Sequence, residues 1–179
     1  MIGKRVLKAI NEQIVKENYS AWLYLQMAAY FEKENLKGFA HWLRIQAQEE
    51  ACHGLIFFNH LCDRGGEVAL GAVAAPPQRF KSPLDVFEQG LAHEFTVTAS
   101  IGAIMKAAVA DDDFAAQSML KWFVDEQVEE EANFDELRSK LARIGKDGNG
   151  VIQLDKELTA RVFSLPPPLM ASMGAGAAP

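Results

Sequence analysis

The chain has 179 residues, 49% of them hydrophobic, which suits one soluble domain with a substantial core. A formal net charge of −6 argues against nucleic acid or anionic membrane as a partner. No run is long and apolar enough to span a bilayer, and the opening MIGKRVLKAINEQIVKENYS has no apolar signal core, so a cytoplasmic protein is expected.

Helix formers dominate and punctuation is sparse. The pattern predicts a first helix over about Lys4–Glu34 and a second over about Gly38–Arg64, stopped by Gly65 and Gly66. Cys52 and Cys62 fall in the second helix, form no CxxC, and are expected as free thiols of a reducing cytosol. Residues 67–82, EVALGAVAAPPQRFKS, read as a long irregular connection. Ser82 and Pro83 supply an N-cap and a first helical residue for a third helix reaching about Ala110. Asp111, Asp112 and Asp113 make a short turn and cap a fourth helix, about 114–144. Gly145, Gly148 and Gly150 break that helix, and a shorter fifth follows, about Val151–Ser164. The tail LPPPLMASMGAGAAP, 165–179, has little to bury and is expected to be flexible, which leaves 1–164 as the folded unit. Strand alternation and internal repeats are missing.

Connection lengths set the topology. Short links between helices one and two, and three and four, predict two antiparallel hairpins. A helix the length of the second spans roughly 40 Å. Residues 67–82, fully extended, reach roughly 50 Å, so this link can cross the bundle and join parallel neighbours. The expected fold is all-α: a four-helix bundle with one long crossover and a short fifth helix.

Alternating three-and-four spacing traces the buried stripe of each helix. The first gives Val6, Ile10, Gln13, Glu17, Ser20, Tyr24, Met27 and Phe31. The second gives Phe39, Leu43, Gln46, Glu50, His53, Phe57 and His60. The third gives Leu84, Phe87, Leu91, Glu94, Thr98, Ile101 and Met105. The fourth gives Leu120, Phe123, Gln127, Glu130, Phe134, Leu137, Leu141 and Ile144. Each stripe carries a glutamate close to the middle of its helix. Mid-helix residues meet at one level whichever way the helices run, so Glu17, Glu50, Glu94 and Glu130 should converge. His53 stands one turn from Glu50, and Gln127 one turn from Glu130. A single glutamate in a stripe usually marks a helix end or a misread face, and a lone histidine is usually a hydrogen-bonded core residue. Four helices with the same interruption at the same depth are harder to explain that way. Buried carboxylates together either share protons or hold cations. Four of them nearly balance one or two divalent ions, and an imidazole suits iron, zinc or manganese better than calcium or magnesium.

Taken together, these residues resemble the ferritins. Glu50-x-x-His53 matches the family's dimetal motif, with Glu17 in NEQIVKENY and Glu94 in HEF beside it. Where bacterioferritins and rubrerythrins carry a second Glu-x-x-His, this chain has Gln127-x-x-Glu130, similar to the non-haem ferritins of prokaryotes. The resemblance runs from Lys4 to about Phe163. It implies a hollow shell of 24 subunits, a homo-oligomer that oxidises Fe²⁺ with O₂ or peroxide and stores the ferric mineral. It implies a di-iron centre with Glu17, Glu50 and His53 at one position and Glu94, Gln127 and Glu130 at the other. Glu50 or Glu130 would bridge. Glu49, Glu126 and Glu129, off the stripes, match a third iron site, which is favoured here over a merely solvated acidic face. Three acids on two adjacent helices would repel without a cation. Tyr24 matches a tyrosine that hydrogen-bonds a ligand carboxylate and can donate an electron. Trp122 reads first as packing and second as a reductant; His41, His60 and His93 read as structural or surface residues.

Three alternatives stand beside this reading. A haem-bearing bacterioferritin would place a Met immediately after the second-helix ligand; Ala51 stands there, so no haem is expected. A DNA-protecting mini-ferritin builds its site between subunits and often has basic tails, whereas here one chain supplies every ligand and the tail lacks Lys and Arg. A structural bundle with protonated seam acids would take up no stoichiometric metal. KDGNGVIQLDKEL hints at a calcium loop, but with Gly150 at its sixth position the first and twelfth are Gly145 and Lys156, where acids are needed.

Overall fold

The computed structural model describes residues 2–174, and every regular element among them is helical. They are α1 (Lys4–Lys33), α2 (Lys37–Asp63), α3 (Pro83–Ala110), α4 (Phe114–Ile144), α5 (Gly148–Leu158) and α6 (Pro167–Gly174). None of the described helices is long and apolar enough to cross a membrane. Cys52 and Cys62 are free.

Local chemistry places the boundaries. Ser82 Oγ accepts from the Asp85 amide at 3.1 Å, and Pro83 follows at the first helical position. Asp113 Oδ1 accepts from the Ala116 amide at 3.0 Å and opens α4. Gly145 closes α4 at φ 61°, a conformation that favours glycine. Asp147 then caps α5 through the Asn149 amide. The fifth helix therefore begins three residues before the expected Val151 and stops at Leu158 rather than Ser164. A turn and an irregular stretch, 159–166, follow it. Within the segment expected to be flexible, α6 forms, and Leu169 is buried against the cluster that contains Phe57 and Leu120. Residues 175–179 lie outside the described residues.

α1 and α2 pair as one hairpin and α3 and α4 as the other. The crossover lies along α1. Asn11 holds its start, donating to the Glu67 carbonyl at 3.0 Å and accepting from the Ala69 amide at 2.6 Å. Tyr30 meets Phe80 edge to face near its end. α3 therefore starts beside the end of α1 and finishes beside its start, where Arg5 pairs with Asp111 at 3.0 Å. α5 docks on α2 within the same chain. Gly38 touches the Asp155 backbone so closely that a Cβ would lie 1.6 Å from its carbonyl oxygen, and the Phe39 amide donates to Asp155 Oδ1 at 3.0 Å. Leu154 and Leu158 are buried within the same chain, in the apolar cluster that includes Phe39 of α2 and Leu137 of α4.

Every stripe residue expected on α1 is buried. α4 matches except at Ile144, which is half-buried, as His60 is on α2. The core divides into two apolar clusters, one around Phe31, Phe39, Phe87 and Phe134, the other around Ile10, Phe57, Ile101 and Phe123. Between them lies a buried polar layer: Gln13, Glu17, Ser20, Gln46, Glu50, His53, Glu94, Gln127 and Glu130.

Candidate metal centre

The four mid-helix glutamates are each 3% exposed or less, and His53 is 2% exposed. One atom each from Glu17, Glu50 and His53 converge within 4.8 Å of one another. His53 Nδ1 lies 3.4 Å from Glu50 Oε2. Glu17 Oε2, Glu50 Oε2 and His53 Nε2 are buried without a hydrogen-bond partner among the described residues, save for a proton that the adjoining Glu17 and Glu50 carboxyls can share. A buried polar atom without a partner costs about 1–3 kcal/mol, more for a charged group. A cation accepting these lone pairs removes that cost, and carboxylate with imidazole is a donor set suited to a first-row transition metal. On both counts the residues fit an iron ion.

The opposite half of the layer is already hydrogen-bonded. Tyr24 donates its hydroxyl to Glu94 Oε1, and Gln127 Nε2 donates to Glu94 Oε2 at 3.1 Å and to Thr98 Oγ1 at 3.1 Å. Gln46 Nε2 donates to Glu130 Oε2. A second three-residue convergence joins His53, Glu126 and Glu130 within 4.8 Å. It differs from the expected grouping of Glu94, Gln127 and Glu130, because Glu126 leans inward until its carboxylate lies 3.9 Å from His53 Nε2.

Electrostatics describe a site short of positive charge. Burial first, and then the neighbouring glutamates, push the Glu50 and Glu130 carboxyls well above the ordinary carboxylate range. Burial also raises Glu17 and Glu94, opposed at Glu17 by His53 and at Glu94 by the hydrogen bond from Tyr24. The Tyr24 phenol is itself raised by burial and by Glu94, so it stays protonated and remains a donor. Burial pushes His93 down to about 4, which keeps it neutral beside Ser20, 2.8 Å away.

The outer acids are less enclosed. Glu49 and Glu126 are half-buried and Glu129 is exposed. Burial and mutual repulsion raise Glu49 and Glu126. The group is not without a cation, as repulsion alone suggested: Arg161 Nη2 donates to Glu49 Oε2 at 2.5 Å. Trp122 stands edge-on to His53 with ring centres 5.4 Å apart. His41 Nε2 donates to the Arg161 carbonyl at 2.9 Å, and His60 lies beside Arg64.

Sequence reasoning gave no task to Gln13 and Gln46, and did not single out Arg161. Gln13 Nε2 donates to Glu17 Oε1 at 2.9 Å, as Gln46 does to Glu130. Gln13 stands four residues before its partner, so Gln13-x-x-x-Glu17 was a usable signal, whereas the same spacing at Gln46 points to Glu50 and not to Glu130. Arg161 lies beyond α5 in the stretch without periodicity, and no pattern marks it.

Four antiparallel-hairpin helices, one long crossover and a carboxylate–imidazole layer at mid-height define the ferritin class. The Ferritin-like domain model matches residues 7–144, and the chain belongs to that family. It is 42% identical over 163 residues to the bacterial non-heme ferritin of Staphylococcus aureus strain USA300, covering 91% of this chain and 98% of that one. Identity to the Staphylococcus epidermidis bacterial non-heme ferritin is 42% over 164 residues, covering 92% and 99%. Among solved structures, an Archaeoglobus fulgidus ferritin engineered to a closed form superposes with a TM-score of 0.90 at 44% identity, covering 92% of this chain and all of that one. The open pore ferritin of the same archaeon gives 0.89 at 44% identity, covering 90% and 100%.

Proposed function

We propose that this chain is a cytoplasmic, non-haem iron-storage protein that oxidises Fe²⁺ and keeps the ferric product inside a shell of 24 subunits. The observation that carries the reading is the buried triad Glu17, Glu50 and His53 with its three unpartnered atoms. The family match and the names of the curated relatives support iron as the substrate and argue against the haem-bearing alternative, as does Ala51 beside Glu50.

Glu17, Glu50 and His53 take the first Fe²⁺, because their lone pairs are already free. Glu94, Gln127 and Glu130 take the second, and there Tyr24 and Gln46 must share carboxylates they now hydrogen-bond. The second position is therefore the weaker one, which lets ferric product leave for the cavity. Glu50 and Glu130 face both positions and hold the pair together. Two Fe²⁺ side by side supply the two electrons and O₂ accepts them, with two protons, as hydrogen peroxide; peroxide can replace O₂ as the acceptor. Four carboxylates match the charge of two Fe²⁺, and hard anionic oxygens favour the ferric state. Tyr24 orients Glu94 and is placed to give an electron. Glu49, Glu126 and Glu129 form a third iron position outside the pair.

The test is stopped-flow oxidation of about two Fe²⁺ per chain by O₂. Glu130→Ala is expected to lose the fast phase while still folding, since water fills the polar gap. Glu129→Ala is expected to keep the fast phase and change only the O₂ consumed per iron. A wild-type fast phase in Glu130→Ala, or its complete loss in Glu129→Ala, contradicts the division into inner and outer positions.

A further inference from the structure

Arg161 reaches the metal layer from outside the bundle, and it does so twice. Its side chain is 19% exposed and its guanidinium carbon sits over Trp42, 4.3 Å from the ring centre. Nη1 donates to Gln46 Oε1 at 2.8 Å, and Nη2 donates to Glu49 Oε2. Its own carbonyl accepts from His41, so the residue is fixed at backbone and side chain. Gln46 is fully buried, and its other carboxamide atom, Nε2, donates to Glu130 Oε2. Only one orientation of that amide is tolerated. Reversing it would set its oxygen against a carboxylate and its NH₂ against a guanidinium. Arg161 therefore decides which way Gln46 faces, and Gln46 engages one oxygen of Glu130. Gln13 is held similarly at Glu17, since Ser100 Oγ donates to its oxygen at 2.6 Å and Lys16 donates to Ser100 at 2.7 Å. That chain begins at a surface lysine and touches no outer acid.

We propose that Arg161 is a positioning residue with two opposed tasks: through Gln46 it sets Glu130 for the inner iron pair, and at Glu49 it competes with cations for the outer acidic group. The proposal rests on the ferroxidase reading above. A metal ion at Glu49, Glu126 and Glu129 has to take Glu49 from a guanidinium that already holds it. The outer position is thereby kept weaker than three clustered carboxylates would otherwise be, while the inner pair keeps an ordered bridge. Only a planar fork serves both partners; a lysine supplies the charge but cannot hold Gln46 and Glu49 together in this geometry.

Calorimetric titration of the metal-free full chain with Zn²⁺ alone separates the two tasks. Wild type is expected to show a tight inner class and a weaker outer class. In Arg161→Gln the inner class weakens about tenfold, as loss of an outer-shell partner does. The outer class tightens in the same protein, by up to about fivefold for removal of a partly exposed ion pair. Arg161→Lys keeps the charge, so its outer class stays near wild type while its inner class weakens. Gln46→Met weakens the inner class and leaves the outer one unchanged. A merely structural role, tying residues 159–166 to α2, would weaken both classes together, and that result overturns the proposal. So do Arg161 variants that bind as wild type does. If wild type itself takes up no tight Zn²⁺, the ferroxidase reading falls and this inference falls with it.

Discussion

Glu50 and Glu130 show what the missing charge does at the scale of single residues. Their carboxyls hold protons tightly because burial and neighbouring glutamates penalise ionisation. A folded-state pKa above the ordinary value of 4.5 means that the stabilising proton is fully present below that pH and is lost as pH rises through the folded value. Metal-free protein should therefore melt at progressively lower temperature as pH rises above the ordinary carboxylate range. Zn²⁺ favours the ionised form, so the gain in melting temperature on adding it should widen across the same interval. A gain that stays constant or shrinks with pH contradicts a carboxylate site compensated by metal. At this scale the seam glutamates, His53 and Gln127 were legible because each replaces an apolar residue in a helical stripe. Periodicity puts Glu126 off the stripe and cannot report that its long side chain leans to within 3.9 Å of His53. Arg161 was invisible for a different reason: its partners come from α2, more than a hundred positions away, and it lies outside any helix.

Among the helices, α3 departed most from its expected face. Its buried side is Val86, Phe87, Gly90, Glu94, Val97, Ile101, Ile104, Ala107 and Ala108, while Leu84, Leu91, Thr98 and Met105 are only half-buried. Glycine hid the register, because hydrophobic patterning skips a residue with no side chain. Gly90 is where Phe134 enters: a Cβ there would lie 2.3 Å from the ring, and Tyr24, Trp42 and Phe87 leave that ring nowhere to go. Gly90→Ala should destabilise the fold by about 1–3 kcal/mol in urea unfolding despite alanine's better helix propensity. Gly102 meets nothing within 4 Å, and Gly102→Ala should be neutral or stabilising by up to about 1 kcal/mol. Equal effects at the two positions would refute the packing account of α3. The boundaries of α3 and α4 were readable from Ser82-Pro83 and the aspartate turn, whose capping chemistry is local. The end of α5 and the existence of α6 were not, because Leu158 and Leu169 gain their stability from distant partners.

For the whole molecule, the two hairpins and the crossover place one glutamate from each of four helices at the same height, and that depends on topology rather than on any local motif. The crossover's length was sufficient to predict it. Trp22 and Leu25 on α1, Leu70 on the crossover and Val162 after α5 all stand in solvent on a single subunit. Light scattering should give a particle of several hundred kilodaltons, and a monodisperse species near 19.8 kDa would remove the storage reading while leaving the metal chemistry in place. Paired oxidation of two Fe²⁺ can be followed in a single absorbance trace. Metal-free protein is mixed in air with increasing Fe²⁺, and the absorbance is followed from milliseconds. The account predicts a fast transient that saturates at about two Fe²⁺ per chain and decays into steady ferric absorbance. Slow oxidation that rises without a break through that ratio, at the rate of Fe²⁺ in buffer, would contradict it.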